Sequence, residues 1–361
     1  MMKILDRYLL RELAAPFLFG VAAFVGLFVA SNLLTKLTEL VAEQGISFGQ
    51  AALLFIYWLP GFVVYTFPMA ALLAVLLTYG RLSAESEIIA ARAGGVSLTR
   101  LARPALGAAL AVSLFTFAFS ETVVPRASRA AQDVLLAASQ TARSAVRERV
   151  VMRILEDGQT RRVIYADRFA PKQELLEGVT VVEFASGQPT LLFKAARATW
   201  RGSEWTLLDG YSQKLGPDQL TATILFPRQD FDLGASPDEL AMQEKKPDQM
   251  TFLELRRYAT LLERQGTEVA ELMVSLHNKV AIPFACLVFA LIGVPLGIRS
   301  PRGGSSIGIG LSVLIIFLYY VIWHYLAVFA QQAMFPAFWA AWLPNLFGGG
   351  LGAALLVRAS R

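Results

Sequence analysis

The sequence predicts an α-helical membrane protein with six transmembrane helices and one inserted periplasmic all-β domain. Three observations carry this expectation. The 361 residues are 55% hydrophobic and only 17% charged, against about 25% charged in an ordinary soluble domain. Six runs are apolar enough and long enough, or nearly so, to cross a hydrocarbon core of about 30 Å, which takes about 20 helical residues. Between the third and fourth runs, from about Pro125 to Asn278, the chain turns polar and strand-like and holds most of the Lys and Arg.

At the N-terminus, "KILDRYLLREL" puts Ile4, Leu5, Tyr8, Leu9 and Leu13 on one helical face and Lys3, Asp6, Arg7 and Arg11 towards the other. That pattern fits a helix lying in the membrane interface. The first apolar run, Phe17 to Leu34, is free of charge. It is too long for a signal-peptide core and no small-residue cleavage pattern follows, so it is expected to be a retained span. The second, Phe48 to Tyr79, contains Pro60 and Pro68, which predict a kink or a tilt. The third, Ala105 to Ser120, is short but extends through Val123 and Val124. The fourth, Val280 to Ile298, is bounded by Lys279 and Arg299. No charge occurs from Gly303 to Val357, and the turn-prone "QQAMFPAFW" divides that region into the fifth and sixth spans.

The polar segment contains "RVVMRIL", "RRVIYADRF", "GVTVVEF", "TLLFKAARATW" and "EWTLLDGYSQKL", separated by the turn signals "EDGQ", "ASGQP" and "RGSE". Short alternating runs with such breaks predict an antiparallel all-β domain. Its flanks, "SRAAQDVLLAASQTARSAVRE" and "TFLELRRYATLLERQG", read as helices. The expected organisation is an N-terminal transmembrane half over 1–124, the β domain with its helical flanks over 125–270, and a C-terminal transmembrane half over 271–361.

Orientation follows from cations in the short loops. Lys3, Arg7, Arg11, Arg81, Arg92, Arg100, Arg103, Arg299, Arg302, Arg358 and Arg361 fall on one side, whereas the short loops opposite hold Lys36 alone. Both termini are therefore expected in the cytoplasm and the β domain on the outer side of a bacterial inner membrane.

After the second span comes "YGRLSAESEIIAARAGGVS", which reads as a complete soluble helix of about residues 83–94. Ser83 is the expected N-cap, Glu85 and Glu87 suit the first turn, Arg92 suits the last, and Gly94 and Gly95 form a stop. So short a helix is marginal alone in water. Two readings stay open on the residues: a connecting helix on the membrane surface, or a plug for a cytoplasmic partner. In the second, Ile88 and Ile89 are apolar anchors and Glu85 or Glu87 is offered to a cation.

An energy source within the chain is hard to find. No G-x-x-x-x-G-K-[ST] phosphate loop occurs, and "RGGSSIGIG" suits helix packing through Gly304 and Gly308. His277 and His324 stand far apart, and no cluster has metal-ligand spacing. Cys286, the single cysteine, reads as a small buried side chain. His324, about midway along the fifth span, is either a packed residue or a proton relay, with Glu121 near the outer end of the third span as its possible counterpart. A membrane-anchored periplasmic enzyme is disfavoured, since the β segment lacks histidine and G-x-S-x-G, while a membrane-anchored periplasmic binding protein stays open as an alternative. An ion-coupled secondary lipid transporter would rest on His324 and Glu121.

Four stretches carry a resemblance to a known family: "LDRYLLREL", "FPMAALLAVLLTYGRLSAESEIIAARAGGVS", "HNKVAIPFACLVFALIGVPLGIR" and "LPNLF". They resemble the LptF/LptG (YjgP/YjgQ) permeases of the lipopolysaccharide export ABC transporter, and the likeness covers essentially the whole chain. "FPMAALL" leans towards the G branch. The resemblance implies a β-jellyroll for the inserted domain, a second permease of the same type, an LptB-like cytoplasmic ATPase dimer holding ATP and magnesium, and LptC-like and LptA-like bridge proteins. It implies no catalytic residue, metal, cofactor or nucleic acid for this chain itself.

By the same resemblance the helix after span two is a coupling helix. Glu87 in "SEI" matches the coupling glutamate, with Glu85, Ile88 and Arg92 beside it. Spans one and five become lateral gates, with Phe24, Phe28, Phe317 and Tyr320 as wall candidates for the acyl chains. Lys36, Arg126 and Arg129 are the candidates for the phosphorylated headgroup, near the positions of Asn32 and Gln132 where the family carries cations.

Overall fold

The computed structural model describes residues 4–44, 46–142, 150–156, 159–170, 174–185, 188–201, 204–215, 220–231, 233, 246–264, 268–299 and 304–360. Lys3, Arg302 and Arg361 of the expected cytoplasmic cations lie outside the described residues. Two compact units result. One comprises Met1–Ala142, Pro247–Phe252 and Ala270–Arg361; the other comprises Arg143–Lys246 and Leu253–Val269.

In the first unit, six helices are long and apolar enough to span a membrane. Helix α1 (Ile4–Phe28) passes through a π-helical turn (Val29–Leu33) into α2 (Leu34–Gln44). The amphipathic start is thus no separate interfacial helix. It forms the first turns of span one, because no Gly or Pro interrupts the chain between Lys3 and Ala15. Helix α3 (Phe48–Ala84) opens on a capping box: the Ser47 hydroxyl accepts the Gln50 amide and the Gln50 side chain accepts the Ser47 amide. Pro60 and Pro68 lie within it without ending it. In the turn preceding Pro68 the Tyr320 hydroxyl donates to the Tyr65 carbonyl (3.1 Å) and Thr66 donates to the Val63 carbonyl (2.8 Å). Side chains from neighbouring helices and from within a span commonly re-satisfy backbone near a proline.

A short helix α4 (Glu87–Ala93) follows, then α5 (Leu98–Ala142), which at 45 residues and about 1.5 Å per residue far exceeds the membrane core. The expected third span and the first helical flank are therefore one element as far as Ala142, with Pro125 inside it. The remaining helices of the unit are α7 (Ala270–Arg299), α8 (Gly304–Gln331) and α9 (Ala337–Ser360). Between α8 and α9, Ala333 adopts φ 56°, where the expected turn lies.

Helices α3 and α7 form the centre. In each, 72% of the apolar window is buried, against 11% in span one and 17% in α8. Small residues let the central helices approach. A Cβ on Gly352 of α9 would lie 2.9 Å from the Ile292 amide nitrogen of α7, and one on Gly297 of α7 would lie 3.0 Å from the Tyr79 Cβ of α3. Both glycines serve close backbone approach, the usual device of helix packing in membranes.

In the second unit, seven strands pair as one antiparallel sheet: β1 (Val150–Glu156), β2 (Gln159–Ala166), β3 (Arg168–Ala170), β4 (Leu175–Ala185), β5 (Gln188–Arg201), β6 (Glu204–Leu215) and β7 (Leu220–Phe231). The order is β1-β2-β4-β5-β6-β7, with β3 also on β4. Helix α6 (Phe252–Arg264) follows, buried along Leu255 and Ala259. The apolar core lies on one face, with Ile164, Val181, Phe193, Trp205 and Leu207 buried.

The inward face changes parity part-way along the strands: Leu176 and then Val179 on β4, Ala195 and then Ala198 on β5, Leu207 and then Gly210 on β6. Pairing skips Gly178 opposite Ala196 and Asp209 opposite Pro227. Gly178 (φ 64°) and Asp209 (φ 53°) supply the left-handed backbone of this crease, and Pro227 carries no amide to pair across it. Strand alternation with period two cannot keep one face inward through such an irregularity.

Candidate functional site

The segment between α3 and α5 folds more tightly than its sequence suggests. Helix α3 continues through Ser83 and Ala84, so Ser83 is not the cap of a new helix. Its hydroxyl instead donates to the Ile298 carbonyl of α7 at 2.8 Å. Glu85 becomes the C-cap of α3 and receives Arg81, one turn earlier, at 3.1 Å. Ser86 turns the chain with φ 61° and no capping hydrogen bond, and α4 begins only at Glu87. The expected helix of about 83–94 is thus a helix end, a left-handed turn and a seven-residue helix. The apolar and helix-favouring continuity of "LLTYGRLSA" outweighs the capping preference of Ser83. Gly94 and Gly95 end α4 as expected, Gly95 with φ 84°.

Ile88 is buried, with 3% of its surface exposed, among Leu9, Leu13, Tyr79, Leu82, Leu101 and Ala102. Ile89 is 60% exposed on the other side of α4, and Glu85, Glu87 and Arg92 are exposed too. The two isoleucines therefore divide their work: one fastens α4 to its own chain and one is free to meet another. The Tyr79 hydroxyl donates to the Leu101 carbonyl (2.7 Å), closing α3 onto α5 beneath the cluster.

Reading the loop alone missed what the first turns of α1 contribute. Asp6 forms an ion pair with Arg100 of α5: Arg100 donates to one carboxylate oxygen at 2.7 Å and stands 2.6 Å from the other, a charge-assisted contact. The Tyr8 hydroxyl donates to the Glu87 carboxylate, 3.0 and 3.2 Å from its two oxygens. Glu12 pairs with Arg81 and accepts the Thr78 hydroxyl on its carbonyl (3.2 Å). The sequence offers one signal for this: Leu5, Tyr8, Leu9, Glu12 and Leu13 share a helical face.

At the opposite end of the helical unit, Leu37 and Leu40 of α2 pack with Ile46, Leu54, Ala131, Val134 and Leu135. That brings the helices carrying Lys36, Arg126 and Arg129 to one end. Lys36 and Arg126 are exposed, whereas Arg129 donates to the Gln249 carbonyl at 2.9 Å. Asn32 lies in the π-helical turn with its amide on Ser31. Among the wall candidates, Phe24, Phe28 and Tyr320 pack against Met69, Leu72 and Leu76 of α3 and Phe289 of α7, so they join spans one and five to the centre. Phe317 is 62% exposed.

His324 is exposed, its ring 5.9 Å from that of Tyr325. Glu121 stands 3.6 Å from Lys279 and accepts the Phe252 amide at 2.7 Å. The two residues on which ion coupling would rest are thus differently engaged. Cys286 is fully buried. Among the described residues no group of three His, Cys, Asp or Glu could hold a metal ion.

Comparison with known proteins agrees with this architecture. The chain is 23% identical over 357 residues to the lipopolysaccharide export system permease protein LptG of Haemophilus influenzae, covering 96% of each chain. It is 24% identical over 324 residues to the protein of that name from Escherichia coli K12, covering 84% of this chain and 86% of the relative. Residues 7–358 match the family described as lipopolysaccharide export system permease LptF/LptG. With its six apolar helices and inserted antiparallel sheet, the chain belongs to that family, the multi-pass permeases of the ABC transporter that exports lipopolysaccharide.

Proposed function

We propose that this chain is the LptG-type permease of the inner membrane and that α4 is its docking element for a cytoplasmic LptB-like ATPase. In this reading both termini are cytoplasmic and the sheet is a periplasmic jellyroll. A second LptF/LptG-type permease completes a cavity with spans one and five as gates. ATP and magnesium stay with the ATPase, and LptC-like and LptA-like proteins receive the lipid. The observation that carries the docking role is the division of α4. Ile88 is buried in its own chain, while Glu87 and Ile89 beside it are exposed. A carboxylate on a fixed helix can make a directional, charge-assisted bond to a partner's arginine.

Lys36 and Arg126 are the proposed phosphate contacts, since both are exposed at the end where α2 meets α5. Arg129 would have to exchange its bond to Gln249 to join them. Phe317 is the proposed acyl-chain contact, and Phe24, Phe28 and Tyr320 act as the packing that positions the gates.

The test is ATP-dependent lipopolysaccharide release from proteoliposomes holding this chain, its partner permease and the ATPase. Glu87→Ala is compared with the unaltered chain at matched complex yield. The expected outcome is loss of release by at least about tenfold, the scale of a charged hydrogen bond. Unchanged release and unchanged ATPase recovery would remove Glu87 from the docking role. Release without any ATPase would instead indicate ion coupling.

A further inference from the structure

The start of span one and the docking helix form one body. Asp6–Arg100, Tyr8–Glu87 and Glu12–Arg81 tie two successive turns of α1 to α5, α4 and α3 respectively. Leu9 and Leu13, at 2% and 6% exposure, pack beneath these ties against Ile88 and Leu101. Beyond them α1 stays helical to Phe28 through Pro16, which removes one backbone hydrogen bond of the helix, with only Gly20 buried in that length.

Glu87 needs outside support. Ser86 provides no side-chain cap, and the helix that Glu87 opens has seven residues. An unsupported glutamate on such a turn samples several rotamers, and ordering one on docking costs affinity. The single hydroxyl proton of Tyr8 is shared between two carboxylate oxygens. Most of the roughly four lone-pair sites of the carboxylate stay open to a second, cationic donor. Tyr8 therefore holds Glu87 without occupying it.

We infer that Tyr8 is a positioning residue for transport: it fixes the Glu87 carboxylate for the partner and joins that carboxylate to span one, so that displacement of α4 moves α1. This inference rests on Glu87 being the docking carboxylate. On docking, a partner that shifts α4 draws on α1 through Tyr8, while Asp6–Arg100 and Glu12–Arg81 keep the same turns of α1 in register with α5 and α3.

Tyr8→Phe removes only the hydroxyl. In the complex assembled at saturating ATPase, melting temperature and ATP hydrolysis should stay near those of the unaltered chain, while ATPase recovery at limiting concentration should fall because Glu87 is no longer ordered before docking. Lipid released per ATP should fall about three- to tenfold, as expected for losing one hydrogen bond to a charged group in an exposed setting. In a Glu87→Ala background, Tyr8→Phe should add nothing further. The outcomes separate the two ideas. If Glu87→Ala leaves release and ATPase recovery unchanged, the docking reading fails and this inference fails with it. If Glu87→Ala abolishes release while Tyr8→Phe leaves release per ATP unchanged, docking stands and the role of Tyr8 is overturned. A lowered melting temperature in Tyr8→Phe, with hydrolysis and release of the assembled complex lost in equal measure, would make Tyr8 merely structural and would also overturn it.

Discussion

Asn345 shows how a polar residue is accommodated in a span. It is 5% exposed, its amide donates to the Ala281 carbonyl at 2.7 Å and its carbonyl accepts the Tyr319 hydroxyl at 2.8 Å, joining α7, α8 and α9. Both of its polar ends are satisfied, which is what a buried amide requires. Ile88 and Ile89 make the opposite comparison, adjacent residues of one type in different surroundings. Ile88→Asp would bury a charge without a partner and should destabilise the fold by at least about 3 kcal/mol. Ile89→Asp, on the exposed side, should leave the melting temperature within a few degrees. On the proposed function, it should reduce co-purification of the ATPase. Thermal unfolding in detergent and ATPase recovery, measured on both variants, check the pair. Adjacency in sequence could not separate these residues, because a helix of unknown phase shows either one to its core.

Among the elements, α4 and the creased sheet depart furthest from their sequence patterns, for related reasons. In both places a non-glycine residue takes a left-handed backbone: Ser86 before α4 and Asp209 within β6. Local preference would not put either residue there, since such conformations are costly and persist only where packing over-determines them. Gly178 opens the strand-like run "GVTVVEF" in the sequence, which carries no sign of a crease across neighbouring strands. A Cβ there would collide with the Asp167 side chain, and φ is 64°. Gly178→Ala should therefore cost about 1–3 kcal/mol. The measurement is hydrogen exchange across β4 in the full chain, where protection should fall in the sheet and stay unchanged in α3 and α7. Equal protection in both proteins would mean that the crease relaxes around the methyl group.

For the whole molecule, the charge pattern and the helix count make one topological prediction. In a Cys286→Ala background, a cysteine at Gln188, an exposed position beginning β5, should react with a membrane-impermeant thiol reagent in intact spheroplasts. A cysteine at Ile89 should react only after the membrane is opened. The reverse pattern would invert the orientation and remove α4 from the reach of a cytoplasmic ATPase. The prediction needs an odd number of spans between the two positions, and among the described residues α5 is the one helix between them that meets the length and hydropathy requirement.

The sequence by itself determined the membrane class, six spans, the inserted antiparallel sheet and the family. These are set by hydrophobic length, charge placement and local motifs, which are properties of neighbouring residues and survive without coordinates. Only the tertiary structure decided that Ser83 closes onto Ile298, that Ile88 faces inward while Ile89 does not, that Arg129 is engaged by backbone, and that the sheet changes faces at Gly178 and Asp209. Above all it brought Tyr8 to Glu87 across 79 residues of chain. No local periodicity encodes such a pairing; it arises where two helices, each following its own pattern, are packed against the same core.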